Sequence, residues 1–407
     1  MKKGWQTKRL SELYKIGSSK RVLQSQWKTE GVPFYRGREV TRLAADGFVD
    51  NELFISEEHF AELSQEYGVP KTGDIVITAI GTIGNSHVVR SADRFYFKDA
   101  SVLWMKRTAE VSSEFVNLWL KSPAFFDQLD RGNGATVDTL TIQKLQSVEI
   151  AVPPLAEQQR IVGLMDEAFE GLATAKANAQ KNIQNARALF ESHLQSVFTQ
   201  RGPGWVENKL KSITTKIGSG ATPRGGGESY KDVGISLIRS LNVHDLGFKY
   251  AKLAFLDDAQ ADELSNVEVY SRDVLLNITG ASVARCAIVP DDVLPARVNQ
   301  HVSIIRPVAE KLDAAFLHYL LISKPYKDQL LKTGEEGGST RQAITKAQIQ
   351  EFTVEYPATL KEQKSIVAKL DAMLAETQRL ARLYERKLAA LEALKKSLLH
   401  QAFSGEL

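Results

Sequence analysis

One long segment of this chain occurs twice. Leu155-Ala156-Glu157-Gln158-Gln159-Arg160-Ile161-Val162 recurs as Leu360-Lys361-Glu362-Gln363-Lys364-Ser365-Ile366-Val367. The offset of 205 between Leu155 and Leu360 holds without a gap to Phe198 and Phe403. Self-similarity over such a distance constrains the architecture before any single residue is interpreted. Whatever one half of the chain folds into, the other half folds into as well.

The repeat continues upstream with small drifts in offset. Trp5 matches Trp205, and Lys15-Ile16-Gly17-Ser18 matches Lys216-Ile217-Gly218-Ser219. Gly31-Val32-Pro33-Phe34-Tyr35-Arg36 stands opposite Gly234-Ile235-Ser236-Leu237-Ile238-Arg239, and Gly73-Asp74-Ile75-Val76-Ile77 opposite Arg272-Asp273-Val274-Leu275-Leu276. Short β-branched runs at 74–78, 87–90 and 100–105 have counterparts at 273–278, 286–289 and 301–306, punctuated by turn residues. A helix is predicted after each set, at 113–129 and 312–331. The pattern is that of two repeated α+β domains of about 150 residues each.

The two repeated segments, roughly 156–199 and 361–403, are predicted as long helices. In the second, Leu370, Met373, Thr377, Leu380, Tyr384, Leu391, Leu394 and Leu398 step mostly by three and four, with a slip near Lys387-Leu388. The first carries Met165, Phe169, Leu172, Ala175, Ala179, Ile183, Ala186 and Leu189 on the matching stripe. Pro153-Pro154 and Pro357 precede the starts, and Gly202-Pro203-Gly204 follows the first end. At about 1.5 Å per residue each helix is a rod of roughly 66 Å, too long for one small domain to cover. The expectation is an antiparallel coiled coil that joins and spaces the two domains with pseudo-two-fold symmetry. The segments are then 1–154, 155–200, 201–359 and 360–407.

Composition excludes several classes of function. The single cysteine, Cys286, rules out a disulfide framework and fits a reducing, cytoplasmic compartment. The start has no apolar core of signal-peptide length, and no run approaches the roughly 20 residues of a membrane span. No phosphate-binding Gly-x-x-x-x-Gly-Lys run, no Asn-Pro-Pro-aromatic run and no metal-ligand spacing among the seven histidines is present. Glu362-x-Lys364 lies within the repeated helix start, without an acidic partner, and reads as a solvated turn. These absences point to a binding protein.

The two Leu-x-Glu-Gln elements, the paired long helices and the two dissimilar domains resemble the specificity (S) subunit of a type I restriction-modification enzyme. Ile217-Gly218-Ser219-Gly220-Ala221-Thr222-Pro223 and Asn299-Gln300-His301 are similar to sequences of that family. Domain one departs from it, with Gly17-Ser18-Ser19-Lys20 and Asp99-Ala100-Ser101 at the corresponding places. The resemblance implies that each long domain is a target recognition domain for one half of a split double-stranded DNA target. It implies two methyltransferase (M) subunits and restriction/translocase (R) subunits as partners, and no membrane. It also implies that S-adenosylmethionine, ATP and Mg bind those partners, that this chain holds no cofactor or metal, and that it is not itself an enzyme. The net charge of +3 is small for a DNA-binding chain, so partners would supply much of the grip on DNA. The competing reading is a two-domain protein-binding scaffold without DNA contact.

Base edges are read mainly by Arg, Lys, Asn, Gln, Ser and Thr on loops or helix ends. Arg36 and Arg239 follow matched strands, with Arg38 and Asn242 close behind. Lys20 and Arg21, and in the second copy Thr222 and Arg224, lie on the loops after the first matched strand. Thr82 and Asn85, matched by Ser282 and Arg285, occupy a turn after the Asp74 and Asp273 strands. Polar loops before the second repeated element add Arg131 and Asn133 in one copy, Thr340 and Arg341 in the other. For each cation the alternative is an ordinary surface ion pair.

Overall fold

The computed structural model describes residues 4–129, 139–223, 225–335 and 343–407. They form two compact units, Met1–Gln180 with Glu385–Leu407, and Lys181–Tyr384. Each unit holds one α+β domain and a part of both long helices, Leu155–Thr199 and Leu360–Ser404.

In the first unit, β1 (Gln6–Arg9) pairs antiparallel with β9 (Glu149–Val152) in a ribbon at the domain's entrance and exit. The central sheet takes β2 (Tyr14–Gly17), β5 (Ile75–Thr78), β6 (Ser86–Val88) and β8 (Val102–Arg107) in the order β2-β8-β5-β6. A smaller sheet takes β3 (Val32–Tyr35), β4 (Phe54–Ile55) and β7 (Tyr96–Phe97), with β3 and β7 parallel. All four residues of β5 are buried, so its unbroken apolar run is that of a strand covered on both faces.

The second unit repeats this plan. β10 (Trp205–Lys209) pairs with β21 (Thr353–Pro357). The central sheet is β11-β20-β17-β18, from Thr214–Ser219, Val302–Pro307, Val274–Asn277 and Cys286–Ile288. The smaller sheet is β15-β12-β19-β16, from Ala254–Leu256, Ile235–Ile238, Ala296–Val298 and Glu268–Val269. The matched glycines Gly31 and Gly234 have φ of +120° and +139°, and a Cβ there would lie 2.4 Å from Ile55 O and 2.2 Å from Leu256 O. Only glycine lets the neighbouring strand come so near.

The units differ after the matched arginines. Gly37–Asp46 is a helix in the first, with Val40 and Leu43 buried on one face and Gly47 closing it at φ +76°. In the second the chain makes the hairpin β13 (Val243–His244) and β14 (Gly247–Phe248).

Each long helix ends in an aromatic anchor. Phe403 packs edge-on against Phe115 at 5.2 Å within the first unit, and Phe198 packs against Phe316 at 5.4 Å within the second. The repeated Phe of each helix thus packs on a different domain from the one its helix starts at. Phe198 is buried in the core there, which contributes roughly 2–3 kcal/mol, and Phe403 lies partly buried against the core of the first unit. Within the first unit Lys176 pairs with Glu392 at 2.7 Å, and within the second Thr377 donates to Ala186 O at 3.4 Å. In the first unit the Lys395 ammonium also lies 5.1 Å from the centre of the Phe169 ring, so rising numbers on one helix meet falling numbers on the other and the helices run antiparallel, as expected from sequence.

Two features depart from the expectation. The helices predicted at 113–129 and 312–331 are each broken, into Ser113–Leu120 and Pro123–Leu129, and into Ala314–Ile322 and Lys324–Glu335. Pro123 and Pro325 lack the N–H that would continue the ladder. Ser122 and Ser323 instead turn the chain, their hydroxyls donating to Trp119 O and Leu320 O at 2.6 Å each. Leu189 and Leu394 leave the apolar seam, at 66% and 48% exposed. The seam steps by four from Ala186 to the buried Phe190, and after the slip it runs through Leu388, Leu391 and Leu398 to Ala402.

Candidate nucleic-acid interface

Strand register gathers the candidate residues at one end of each domain. Gly17 lies opposite Trp104 and Thr78 opposite Val102, so β2 and β5 end where β8 begins. β3 and β7 end side by side, with Lys98 N–H donating to Tyr35 O at 2.7 Å. The loops carrying Lys20, Arg21, Arg36, Arg38, Thr82 and Asn85 thus form a single rim. In the second unit, Ser219 opposite Ser303 and Asn277 opposite Val302 bring Thr222, Arg239, Asn242, Ser282 and Arg285 to the equivalent rim. Arg131, Asn133, Arg224, Thr340 and Arg341 lie outside the described residues. Thr139 bridges to Ile80, and Ala343 to Thr279, so the described chain on the C-terminal side of both polar loops meets the rim.

On the first rim, Arg36 and Arg38 share one buried carboxylate. Glu39, 1% exposed, accepts Arg36 Nε at 3.1 Å, Arg36 Nη2 at 2.8 Å and Arg38 Nε at 2.9 Å, and it also caps the backbone N–H of Arg36 at 3.0 Å. Burial alone would raise the Glu39 pKa, but the two guanidinium groups outweigh it and lower it to about 2. Arg38 also reaches the exposed Glu52 at 2.7 Å. Arg21 pairs with Asp99 at 2.9 Å, and the Lys20 ammonium lies 5.2 Å from the centre of the Tyr67 ring. Thr82 and Asn85 meet the helix that follows Arg36. Thr41 Oγ1 lies 3.1 Å from Thr82 Oγ1 and accepts Asn85 Nδ2 at 3.1 Å. Two of the sequence-selected turns are thereby one hydrogen-bonded surface.

On the second rim, the partner that sequence alignment set beside Arg38 has another job. Asn242 is 0% exposed. Its Oδ1 accepts the backbone N–H of Arg239 at 3.0 Å, and its Nδ2 donates to Lys249 O at 2.8 Å. Its structural counterpart is Glu39, which caps Arg36 in the same i, i+3 manner. A polar residue three places after the arginine is a turn signal as well as a reading signal, and here it forms the turn, inside the protein. Arg239 lies over the Tyr230 ring at 5.1 Å and donates to Lys252 O. Ser282 accepts Asn277 Nδ2 at 3.2 Å. The Arg285 side chain has no hydrogen-bond or ion-pair partner among the described residues.

Gln300, His301 and Thr279, which are not among the residues selected from the polar loops, face the same rim. Thr222 donates to Gln300 Oε1, Gln300 Nε2 lies 3.2 Å from His301 Nε2, and His301 Nδ1 lies 2.6 Å from Thr279 Oγ1. The run Asn299-Gln300-His301 was the signal available for finding them. Among the described residues no cluster of three or more His, Cys, Asp or Glu side chains is placed to hold a metal ion. No helix among them is long and apolar enough to cross a membrane. What the rims offer is hydrogen-bond donors and acceptors on two frameworks of the same build.

The family model described as the type I restriction modification DNA specificity domain matches residues 2–184 and again 204–386. A type I restriction enzyme specificity subunit of Haemophilus influenzae is 31% identical over 189 residues, 44% of this chain and 46% of that protein. The EcoBI specificity subunit of Escherichia coli is 24% identical over 300 residues, 68% of this chain and 62% of its own length. The matched stretches thus span about half to three fifths of these relatives. Among solved structures, one described as showing complex assembly and conformational transition of the type I R-M system superposes with a TM-score of 0.77 at 20% identity, covering 100% of this chain and 99% of that one. The HsdS subunit from Thermoanaerobacter tengcongensis does so with 0.62 at 20% identity, covering 100% and 98%.

Proposed function

The chain belongs to the family of type I restriction modification DNA specificity domains, and from that premise we propose that it is the DNA-reading, non-catalytic subunit of a type I restriction-modification enzyme in the cytoplasm. Each rim reads one half of a split, asymmetric duplex target, and the repeated frame seats two methyltransferase subunits in equivalent environments. S-adenosylmethionine, ATP and Mg belong to those subunits and to the restriction/translocase subunits that join them.

The observation that carries this reading is that two frameworks of the same strand order present chemically different side chains at the same rim. One offers Arg36, Arg38, Thr82 and Asn85, and the other Thr222, Arg239, Arg285 and Gln300. Common folds with unlike readers suit two unlike half-sites. The rim cations of the first domain are largely paired with carboxylates, and the whole chain is close to neutral. Both features keep non-specific phosphate binding weak, which suits a subunit whose partners close over the DNA. The test is to map methylated adenines in DNA modified by the assembled enzyme, with gel shifts on duplexes carrying each half-site alone and both together. A split motif bound best when both halves are present is the expected result. Assembly with partners but no preference for any DNA sequence would favour the protein-binding scaffold.

A further inference from the structure

Gln300 is an exposed side chain on the loop between β19 and β20, yet its amide is fixed from two sides. Thr222 donates its hydroxyl hydrogen to Oε1, and Nε2 donates to His301 Nε2 at 3.2 Å. An imidazole that accepts at Nε2 carries its proton on Nδ1, and that N–H donates to Thr279 Oγ1 at 2.6 Å. The three supports come from three strand ends, those of β11, β17 and β19. The loops are brought together by backbone contacts as well. Gly220 N–H donates to Asn299 O at 3.2 Å, and a Cβ on Gly220 would lie 1.7 Å from Val298 O, so only glycine admits this approach. Asn299 N–H in turn donates to Ile238 O at 3.1 Å, which sets the loop beside Arg239.

An exposed glutamine normally samples many rotamers, and immobilising it on binding costs conformational entropy. Here the ordering is done in advance. After its internal bonds the amide keeps one N–H and one oxygen lone pair unused. In the major groove adenine presents N7 as acceptor and N6–H as donor, which matches that pair. Guanine presents two acceptors, N7 and O6, so the amide oxygen would face O6 without a hydrogen between them. The first domain has Ala100 at the equivalent place, with φ +60° and no side-chain amide, beside an Asp99 that pairs with Arg21.

We propose that Gln300 is a specificity-determining residue of the second domain, an amide pre-oriented by Thr222 and the His301–Thr279 pair to read one adenine of that domain's half-site. The inference rests on the DNA-reading function proposed above. Its test uses the assembled enzyme with wild-type, Gln300→Ala and Thr222→Val subunits, on a panel of duplexes with each base pair of both half-sites varied in turn. Gln300→Ala should lower discrimination on the order of 10- to 100-fold at a single A·T pair of one half-site. The other half-site and the dependence of non-specific binding on salt should be unchanged. Thr222→Val should weaken the same position by a smaller factor, because the amide is then held from one side. Unchanged discrimination at every position in Gln300→Ala overturns the inference, as does an equal loss on all sequences, the mark of a phosphate contact. A wild-type enzyme that prefers no sequence would instead overturn the function on which the inference rests.

Discussion

The side-chain oxygen of Gln158 accepts the backbone N–H of Ser112 at 2.8 Å, across 46 residues of sequence. Gln158 stands in the first repeated helix start, and Ser112 caps the domain helix whose Phe115 lies in the core. The second copy does the same, with Gln363 accepting from Asp313 at 2.7 Å, and Asp313 capping the helix that carries Phe316. The amide nitrogens close the bracket, Gln158 onto Pro153 O at 2.8 Å and Gln363 onto Pro357 O and Lys311 O at 2.9 Å each. The glutamine of the repeated Leu-x-Glu-Gln is therefore a clamp between long helix and domain, with no part in chemistry.

Removing the clamp leaves a buried N–H and one or two carbonyls unpaired, at about 1–3 kcal/mol for each unsatisfied group. Gln363→Ala, which breaks three bonds against two for Gln158→Ala, should be the more destabilising. Urea denaturation of both variants checks the order. Losses under about 0.5 kcal/mol, typical of surface substitutions, would contradict the assignment.

Glu39 makes a prediction about acid. Its folded-state pKa of about 2 lies below the ordinary 4.5, so its charged form contributes stability above pH 4.5. That contribution falls away as pH drops from 4.5 toward 2. Glu39→Gln keeps a neutral acceptor for the Arg36 N–H, as Asn242 provides for Arg239, and loses the charge-assisted bonds. Because both arginines are partly exposed, the cost at pH 7 should be about 2–3 kcal/mol, below the 3–5 of a fully buried pair. The gap between wild type and variant should narrow as denaturation is followed from pH 5 to pH 2.5. A gap that stays constant over that range would show that the charge is not what matters.

The repeat made the architecture legible because the fold answers to apolar spacing and to a few glycines. The β5 and β17 runs and both long helices could be read directly, to within a residue or two at each end, whereas the close strand approach at Gly31 and Gly234 comes from the structure. The seam drifted where a step of three and a step of four were both open. At 189 and 190 the chain offers Leu and Phe, and packing chose the larger ring. The breaks at Ser122 and Ser323 escape the periodicity, because the apolar stripe continues on either side of them.

The rims were legible by class more than by role. Polar loops after matched strands do converge, which follows from strand order alone. Whether a given side chain faces outward depends on partners distant in sequence, such as Asp99 for Arg21, Thr41 for Asn85 and Lys249 O for Asn242. No periodicity carries that information.

The two kinds of rim arginine should separate experimentally. Arg285→Ala removes a side chain without a partner among the described residues, so stability should change by no more than about 0.5 kcal/mol while DNA affinity of the assembled enzyme falls. Arg36→Ala strips the buried Glu39 of two hydrogen bonds and should lower the stability of the first domain along with any loss of binding. Arg239→Ala should affect a half-site different from that of Arg36→Ala. Parallel denaturation and methylation-site mapping distinguish them, and an Arg36→Ala variant as stable as wild type would show that the Glu39 bracket contributes nothing.

Exchange of a whole domain tests the independence of the two readers. The β1–β9 ribbon closes the first domain, with Gln6–Arg9 paired to Glu149–Val152, so cuts inside the ribbon would separate strands that need each other. Grafting a relative's segment between Leu10 and Val148 keeps the host ribbon, the Gln158 amide and the long helices. Phe403 and Met165 remain to enter the core, so the graft must supply an aromatic or large aliphatic residue where Phe115 stands. The chimera should methylate a target in which one half-site is the relative's and the other is unchanged. Methylated-adenine mapping reads both halves in one experiment. If the second half-site changed as well, recognition would be a property of the two domains jointly, and separate rims would not explain specificity.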